Sequence, residues 1–191
     1  MTDDHGLGQD GPVRGLKILL IVDPLGALNP AHDTSVAIME AAQRRNYEVY
    51  TTTASTLMVD GAAAVALCQR VVVEPAVLER GRWIAPADWY RADEPAQTRL
   101  DEFDAVFMRT DPPFDAAYLS ATYVLDLVDP LRTLMVNSPA GLRNANEKLF
   151  GLRVPELGPP TLISGDVKTI TDRVHAWGKA VLKPIDAMAG R

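Results

Sequence analysis

The chain begins its apolar patterning with the run LKILLIV (16–22), which predicts a strand buried on both faces, as in a parallel sheet. A loop rich in Pro and Gly, DPLGALNPAHD (23–33), follows and ends in Asp33, Thr34 and Ser35, all good helix N-caps. Val36, Met39 and Ala42 or Gln43 then recur along one side of a helix that runs to about Arg45. YEVYTTT (47–53), rich in aromatic and β-branched residues, returns as a strand. Strand, loop, helix, strand is the opening of an α/β fold with a right-handed parallel crossover.

Beyond Thr53 the pattern shortens. Segments 56–60, 62–67 and 69–74 read as short strands, the first two joined by a hairpin around Asp60-Gly61. Weak periodicity and prolines make 80–97 an irregular excursion. DAVFMR (104–109) is a further strand; Asp115 then caps a helix from Ala116 to about Leu127. LMV (134–136) is a short strand, and Ser138-Pro139 places an N-cap before a proline at the first helical position. PTLIS (160–164), a helix over 166–177 and KAVLKP (179–184) read as one more strand–helix–strand unit. Residues 1–13 lack apolar periodicity and are expected to form a disordered tail.

Composition narrows the function classes. The net charge is -6 and no Lys/Arg-rich run occurs, so a nucleic-acid surface is not expected. No apolar stretch approaches the ~18 residues that span a bilayer, and the acidic start is unlike a signal peptide, so a soluble cytoplasmic protein is expected. Cys68 is the single cysteine, which excludes an intramolecular disulfide and a cysteine metal cluster. Its setting, AAAVALC (62–68), favours a buried, inert thiol. GLGQDG (6–11) fits the dinucleotide-binding glycine spacing but precedes the first strand and opens no helix, so it lacks the context that gives the motif meaning. His32, Asp33 and Ser35 lie too near one another in sequence to converge as a triad, and helix capping accounts for Asp33 and Ser35 better.

Four segments carry candidate chemistry. In open α/β sheets ligands bind beyond the carboxyl ends of the strands, where the 23–33 loop lies, and its 11 residues exceed an ordinary βα connection of about 2–6. MRTDPPFD (108–115) ends a second such strand: Arg109 offers a fork to a carboxylate, while Asp111 and Asp115 serve equally as helix caps or as ligand groups. LRNANEKLF (142–150) presents Lys148, and VLKPIDAMAGR (181–191) presents Lys183 before a small-residue loop of the kind that admits phosphates.

With VDPLGALNPAHDTSVAIMEAAQRRNYEVY, MRTDPPFDAAYLSATYVLD, VNSPAGLRNANEKLF and VLKPID in this order, the chain resembles the bacterial-type glutathione synthetase from about Leu16 to Arg191. MR-x-DPPFD and NEKLF are its specific motifs, and 54–100 matches least. The resemblance implies a Rossmann-like parallel sheet over 14–142, the pre-ATP-grasp substrate domain, and the truncated start of an ATP-grasp lobe over 143–191. It implies an ATP-dependent ligase that joins γ-glutamylcysteine to glycine through an acyl phosphate, with Mg2+ neutralising the nucleotide phosphates. Arg109, Asp23, Asn29, Asp33 and Asp111 match the region lining the peptide-substrate site. Lys148 and Lys183 match ATP-contacting lysines, with Asp186 and Gly190 beside them, while Ala187 and Ala189 stand where the family has glycines. The metal ligands are expected beyond Arg191, which would leave the 191 residues inactive alone, as a fragment, half of a split enzyme or a decayed gene. A homo-oligomer or a complementary C-terminal half are the partners this implies. The competing readings are another ATP-grasp carboxylate–amine ligase and a non-catalytic α/β ligand-binding module.

Overall fold

A computed structural model describes residues 15–111 and 113–185. Four parallel strands form its centre. β1 (Lys17–Ile21) pairs on one side with β2 (Glu48–Thr52), and later in the chain β9 (Ala105–Met108) takes its other side, with β10 (Leu134–Val136) outside it. The apolar run from Ile18 to Val22 is explained by this central position. Ile18, Leu20 and Val22 enter one core with Val36, Met39 and Ala42 of helix α1 (Thr34–Gln43). Leu19 and Ile21 enter the opposite core with Ala121 and Leu125 of helix α2 (Ala116–Leu125). Leu19, Leu20 and Ile21 are fully buried, each worth about 1.5–3 kcal/mol relative to exposure. Helices therefore cover both faces of the parallel part, and the expected crossover from β1 through α1 to β2 is present.

Between β2 and β9 the structure departs from the reading of the sequence. β3 (Met58–Asp60) and β4 (Ala63–Val73) form the hairpin; its two turn residues are Gly61-Ala62, with Gly61 at φ 61. The expected separate strands 62–67 and 69–74 are one strand of 11 residues. Gln69 and Arg70 look like a break but lie in register opposite Thr51 and Tyr50 of β2, antiparallel to it. The expected irregular excursion is also built of strands. β5 (Val77–Glu79) and β6 (Arg82–Ile84) form a hairpin whose turn, Arg80-Gly81, has positive φ at both residues. β7 (Tyr90–Ala92) and β8 (Ala96–Arg99) then pair antiparallel with β4. Pro75, Pro86 and Pro95 fall between these strands rather than inside them, where a missing N–H costs no ladder hydrogen bond.

The last third differs again. Helix α3 (Pro139–Asn144) begins as expected, with Ser138 accepting from the Gly141 N–H. Helix α4 (Val167–Trp177) is capped by Asp166, which accepts from the Thr169 N–H at 2.7 Å, and stops at Gly178 with φ 76. The strands expected at 160–164 and 179–184 are absent among the described residues: neither has a partner to pair with, and Val181 and Leu182 are exposed. The disordered tail expected at 1–13 lies outside the described residues. No helix among the described residues is long and apolar enough to cross a membrane.

Candidate functional site

The carboxyl ends of β1, β2 and β9 define one edge of the sheet, and the candidate side chains Asp23, Asp33, Arg109 and Asp111 gather there. Hydrogen bonding of the Arg109 N–H to the Ile21 carbonyl at 2.8 Å brings the two strand ends level. The Arg109 guanidinium then reaches the start of α1, donating to Thr34 Oγ1 at 2.6 Å and Ser35 Oγ at 3.4 Å. Both partners are neutral hydroxyls, so the cation's charge is held in place without being cancelled. Tyr118 of α2 lies close by: burial pushes its phenol up, and the Arg109 charge acts in the other direction.

Asp23 lies just past the end of β1, near Asp111 and Asp33. Burial raises its carboxyl above the ordinary 3.8, as do the charges of Asp111 and Asp33, while a backbone hydrogen bond from Asp111 favours the ionised form. Asp33 also caps α1, accepting from the Ser35 N–H at 2.7 Å. The 23–33 loop and the β9 end thus converge, with Asp23, Asp33, Arg109 and Asp111 grouped around the N-terminus of α1. Asn29 is used differently: its side-chain carbonyl accepts from the Ala31 N–H, and its backbone carbonyl accepts from the N–H groups of His32 and Asp33. Asn29 therefore shapes the loop. Asp115, the other carboxylate of the motif, is the cap of α2, accepting from the Tyr118 N–H at 2.9 Å.

On the β2 side of Asp23 the edge opens into a groove of about 580 Å³. Val22 to Gly26 form one side, Thr51, Thr52, Thr53 and Thr56 the floor with Gln69, and Tyr90 and Ala92 to Pro95 the far wall. Reading the sequence for strand-end loops found Asp23 and Arg109 but not this wall. The signal was the Thr51–Thr53 run, which ends a strand that should have been given the same crevice.

A second, separate region holds the lysines. Asn146 accepts from the N–H groups of Lys148 and Leu149 and donates to the Ile185 carbonyl at 3.4 Å. Lys148 Nζ donates to the same carbonyl at 3.2 Å and sits 3.0 Å from Glu147 Oε1. The NEKLF turn therefore rests on the segment that carries Lys183, whose own side chain is exposed. Lys148 also lines a groove of about 510 Å³ with Leu152, Val154 and Leu157, where apolar walls meet one cation. Asp186 and Gly190 lie outside the described residues. A divalent metal does not fit: among the described residues no three His, Cys, Asp or Glu side chains come together to hold one. Cys68 is buried, with its thiol pushed up to about 12 by desolvation, and takes no part in either region.

The sequence itself decides the family. Residues 16–143 match the model of the prokaryotic glutathione synthetase N-terminal domain, and 147–191 match that of its ATP-grasp domain. The chain belongs to the prokaryotic glutathione synthetase family. It is 47% identical over 175 residues to a glutathione synthetase of Nostoc sp., covering 92% of this chain and 54% of that protein. The corresponding protein of Thermosynechococcus vestitus is 43% identical, with 92% and 55% covered, and that of Vibrio parahaemolyticus 36%, with 92% and 52%. The chain thus spans about half the length of the curated relatives it matches. Glutathione synthetase is an ATP-grasp protein, and the Rossmann-like fold expected from the resemblance agrees with the parallel sheet found here.

Proposed function

We propose that this chain supplies the peptide-substrate site and the first edge of the nucleotide cleft of an ATP-dependent ligase that joins γ-glutamylcysteine to glycine. The observation that carries this reading is the family match continuing through both regions, the Arg109 edge and the Lys148 turn. The proposed division is a substrate domain over 14–142 and the start of an ATP-grasp lobe from 143. Arg109, backed by the α1 N-terminus, binds a dipeptide carboxylate; Asp23, Asp33 and Asp111 set the charge around it, and Asn29 holds the loop. Lys148 and Lys183, with Asp186 and Gly190, are the ATP-binding residues of this reading. The chemistry is transfer of a phosphoryl group to the dipeptide's cysteine carboxylate, then attack by the glycine amine, which releases phosphate and leaves glutathione and ADP. Mg2+ belongs to this reaction, and among the described residues no group of His, Cys, Asp or Glu is placed to hold it. A cytoplasmic enzyme is the setting such substrates imply, and a homo-oligomer or a complementary C-terminal half is the assembly it fits.

The 191 residues alone are proposed to hold ATP weakly and to form no glutathione. A charge pair near 4 Å in water gives only about 1 kcal/mol, against about 4 kcal/mol for millimolar binding. Calorimetry with ATP and magnesium should show no micromolar affinity. Mixing the chain with the C-terminal half of the Nostoc relative should restore glutathione formation, and Arg109→Ala should then raise the KM for γ-glutamylcysteine about 10- to 100-fold. An unchanged KM would remove Arg109 from the substrate site, and tight ATP binding or turnover by the chain alone would show that the cleft is more complete than proposed.

A further inference from the structure

Among the described residues, the Arg109 guanidinium is held along one edge. Its Nε donates to Ser35 Oγ at 3.4 Å and its Nη2 to Thr34 Oγ1 at 2.6 Å. These two nitrogens share one side of a planar group whose N–H donors form a rigid fork. Nη1, at the other end of the fork, has no hydrogen-bond partner among the described residues. Charge does not account for this arrangement. A cation beside a helix N-terminus meets the positive end of the helix dipole. Asp33 precedes the two hydroxyls and Asp111 follows Arg109 in the chain, yet among the described residues Arg109 forms an ion pair with neither. Hydrogen bonding keeps the guanidinium in place, and the hydroxyls are themselves fixed. Ser35 is buried, at 3% exposure, and Asp33 accepts from its N–H at 2.7 Å, so the first turn of α1 sets where Oγ lies. The backbone N–H of Arg109 is tied in turn to the Ile21 carbonyl at 2.8 Å.

We propose that Thr34 and Ser35 are positioning residues for the ligase reaction: they hold the Nε–Nη2 edge of Arg109, so that its Nη1 end is presented to the dipeptide carboxylate. The inference rests on the reading of Arg109 as a carboxylate-binding residue and adds what makes it one. An arginine side chain has many rotamers, and ordering it at the moment of binding costs affinity. Ordered in advance by the two hydroxyls, it meets that cost during folding instead. A carboxylate could fix the same edge, but it would cancel the charge that the ligand needs. Neutral hydroxyls fix the edge and leave the charge. A substrate carboxylate at the Nη1 end can still accept a pair of parallel N–H bonds, one from each terminal nitrogen. Thr34 and Ser35 therefore act through Arg109 and not on the substrate.

The test uses the full 191-residue chain, labelled with 15N. NMR relaxation of the Arg109 Nε–Hε bond reports the order of the side chain without ligand, and titration with γ-glutamylcysteine gives its Kd. Thr34→Val keeps the shape of an exposed residue and removes the acceptor, whereas Thr34→Ser keeps the acceptor. Thr34→Val is expected to loosen the Arg109 bond on the nanosecond scale and to raise the Kd about 2- to 10-fold, the equivalent of ordering one long side chain. Thr34→Ser should keep both at the parent's values, and Ser35→Ala should act in the same direction as Thr34→Val. Amide shifts of Leu19, Leu20 and Ile21 that match the parent's show that each variant keeps the fold. An Arg109 bond as ordered in Thr34→Val and Ser35→Ala as in the parent would overturn the inference. So would a Kd unchanged in both while Arg109→Ala weakens binding, and Arg109 would then stand as a carboxylate-binding residue. A Kd unchanged in Arg109→Ala, or no binding by the parent, would overturn both.

Discussion

Asp23, a binding group in the proposed function, stands at the scale of one residue at some expense to folding. Its carboxyl lies above the ordinary 3.8 in the folded chain, through burial and the charges of Asp111 and Asp33, so folding favours its neutral form. The sign follows: this group's contribution to stability is present below pH 3.8 and is lost as pH rises through the raised folded value. Asp23→Asn keeps an acceptor for the Asp111 backbone and removes the buried charge. The variant should melt at a higher temperature than the parent at pH 7, and the gap should close as the pH falls toward 3.8, as thermal denaturation across pH would record. The same variant should bind γ-glutamylcysteine more weakly. A variant that is less stable at pH 7 would show that the carboxylate is held for structure rather than for a ligand. Residue types at strand ends made Asp23 and Arg109 visible in the sequence. The partners of Arg109, Thr34 and Ser35, were read only as caps, because capping is a local pattern and a contact across 74 or 75 residues is not.

At the scale of elements, what was legible was whatever a run of neighbouring residues decides. The two-faced burial of β1, the caps Asp33, Asp115 and Ser138, and the helices they open are all set within a few residues; Asp166, read as the first residue of its helix, is its cap. The continuity of β4 was not, because its polar pair Gln69-Arg70 makes sense only against β2. The strands expected at 160–164 and 179–184 failed for the same reason in reverse: extended propensity does not supply a partner. One link between elements is unusual. The Gln43 amide at the end of α1 bonds both backbone groups of Val73, donating to its carbonyl at 2.9 Å and accepting from its N–H at 2.7 Å. The side chain acts as a short substitute strand that holds the end of β4 to the helix. Gln43→Ala should cost about 1–3 kcal/mol in chemical denaturation, the penalty for half-buried backbone groups left unmatched. A cost near zero would mean that water replaces the amide freely.

For the whole molecule, burial is uneven. Both cores draw on residues between Ile18 and Val128, whereas α4 and the short 3-10 turns Phe150–Arg153 and Pro155–Leu157 bury no residue. Local opening follows contact, so residues 150–185 should exchange amide hydrogens within seconds while Leu19, Leu20 and Ile21 remain protected to the global limit. Hydrogen–deuterium exchange followed by mass spectrometry measures this directly, and comparable protection in the two regions would contradict it.

The 11-residue strand β4 has a wider consequence for how copies of the molecule behave toward one another. A strand of that length with an open side is a template on which another chain can add and continue the sheet. Val65 is paired with Met58 of β3 and also with Arg99 of β8, and further along β7 takes over from β8, covering Val71, Val72 and Val73. Residues 90–99, part of a stretch that contributes little to the core, therefore act as a sheath. They cover the longest strand among the described residues, against its seeding aggregation.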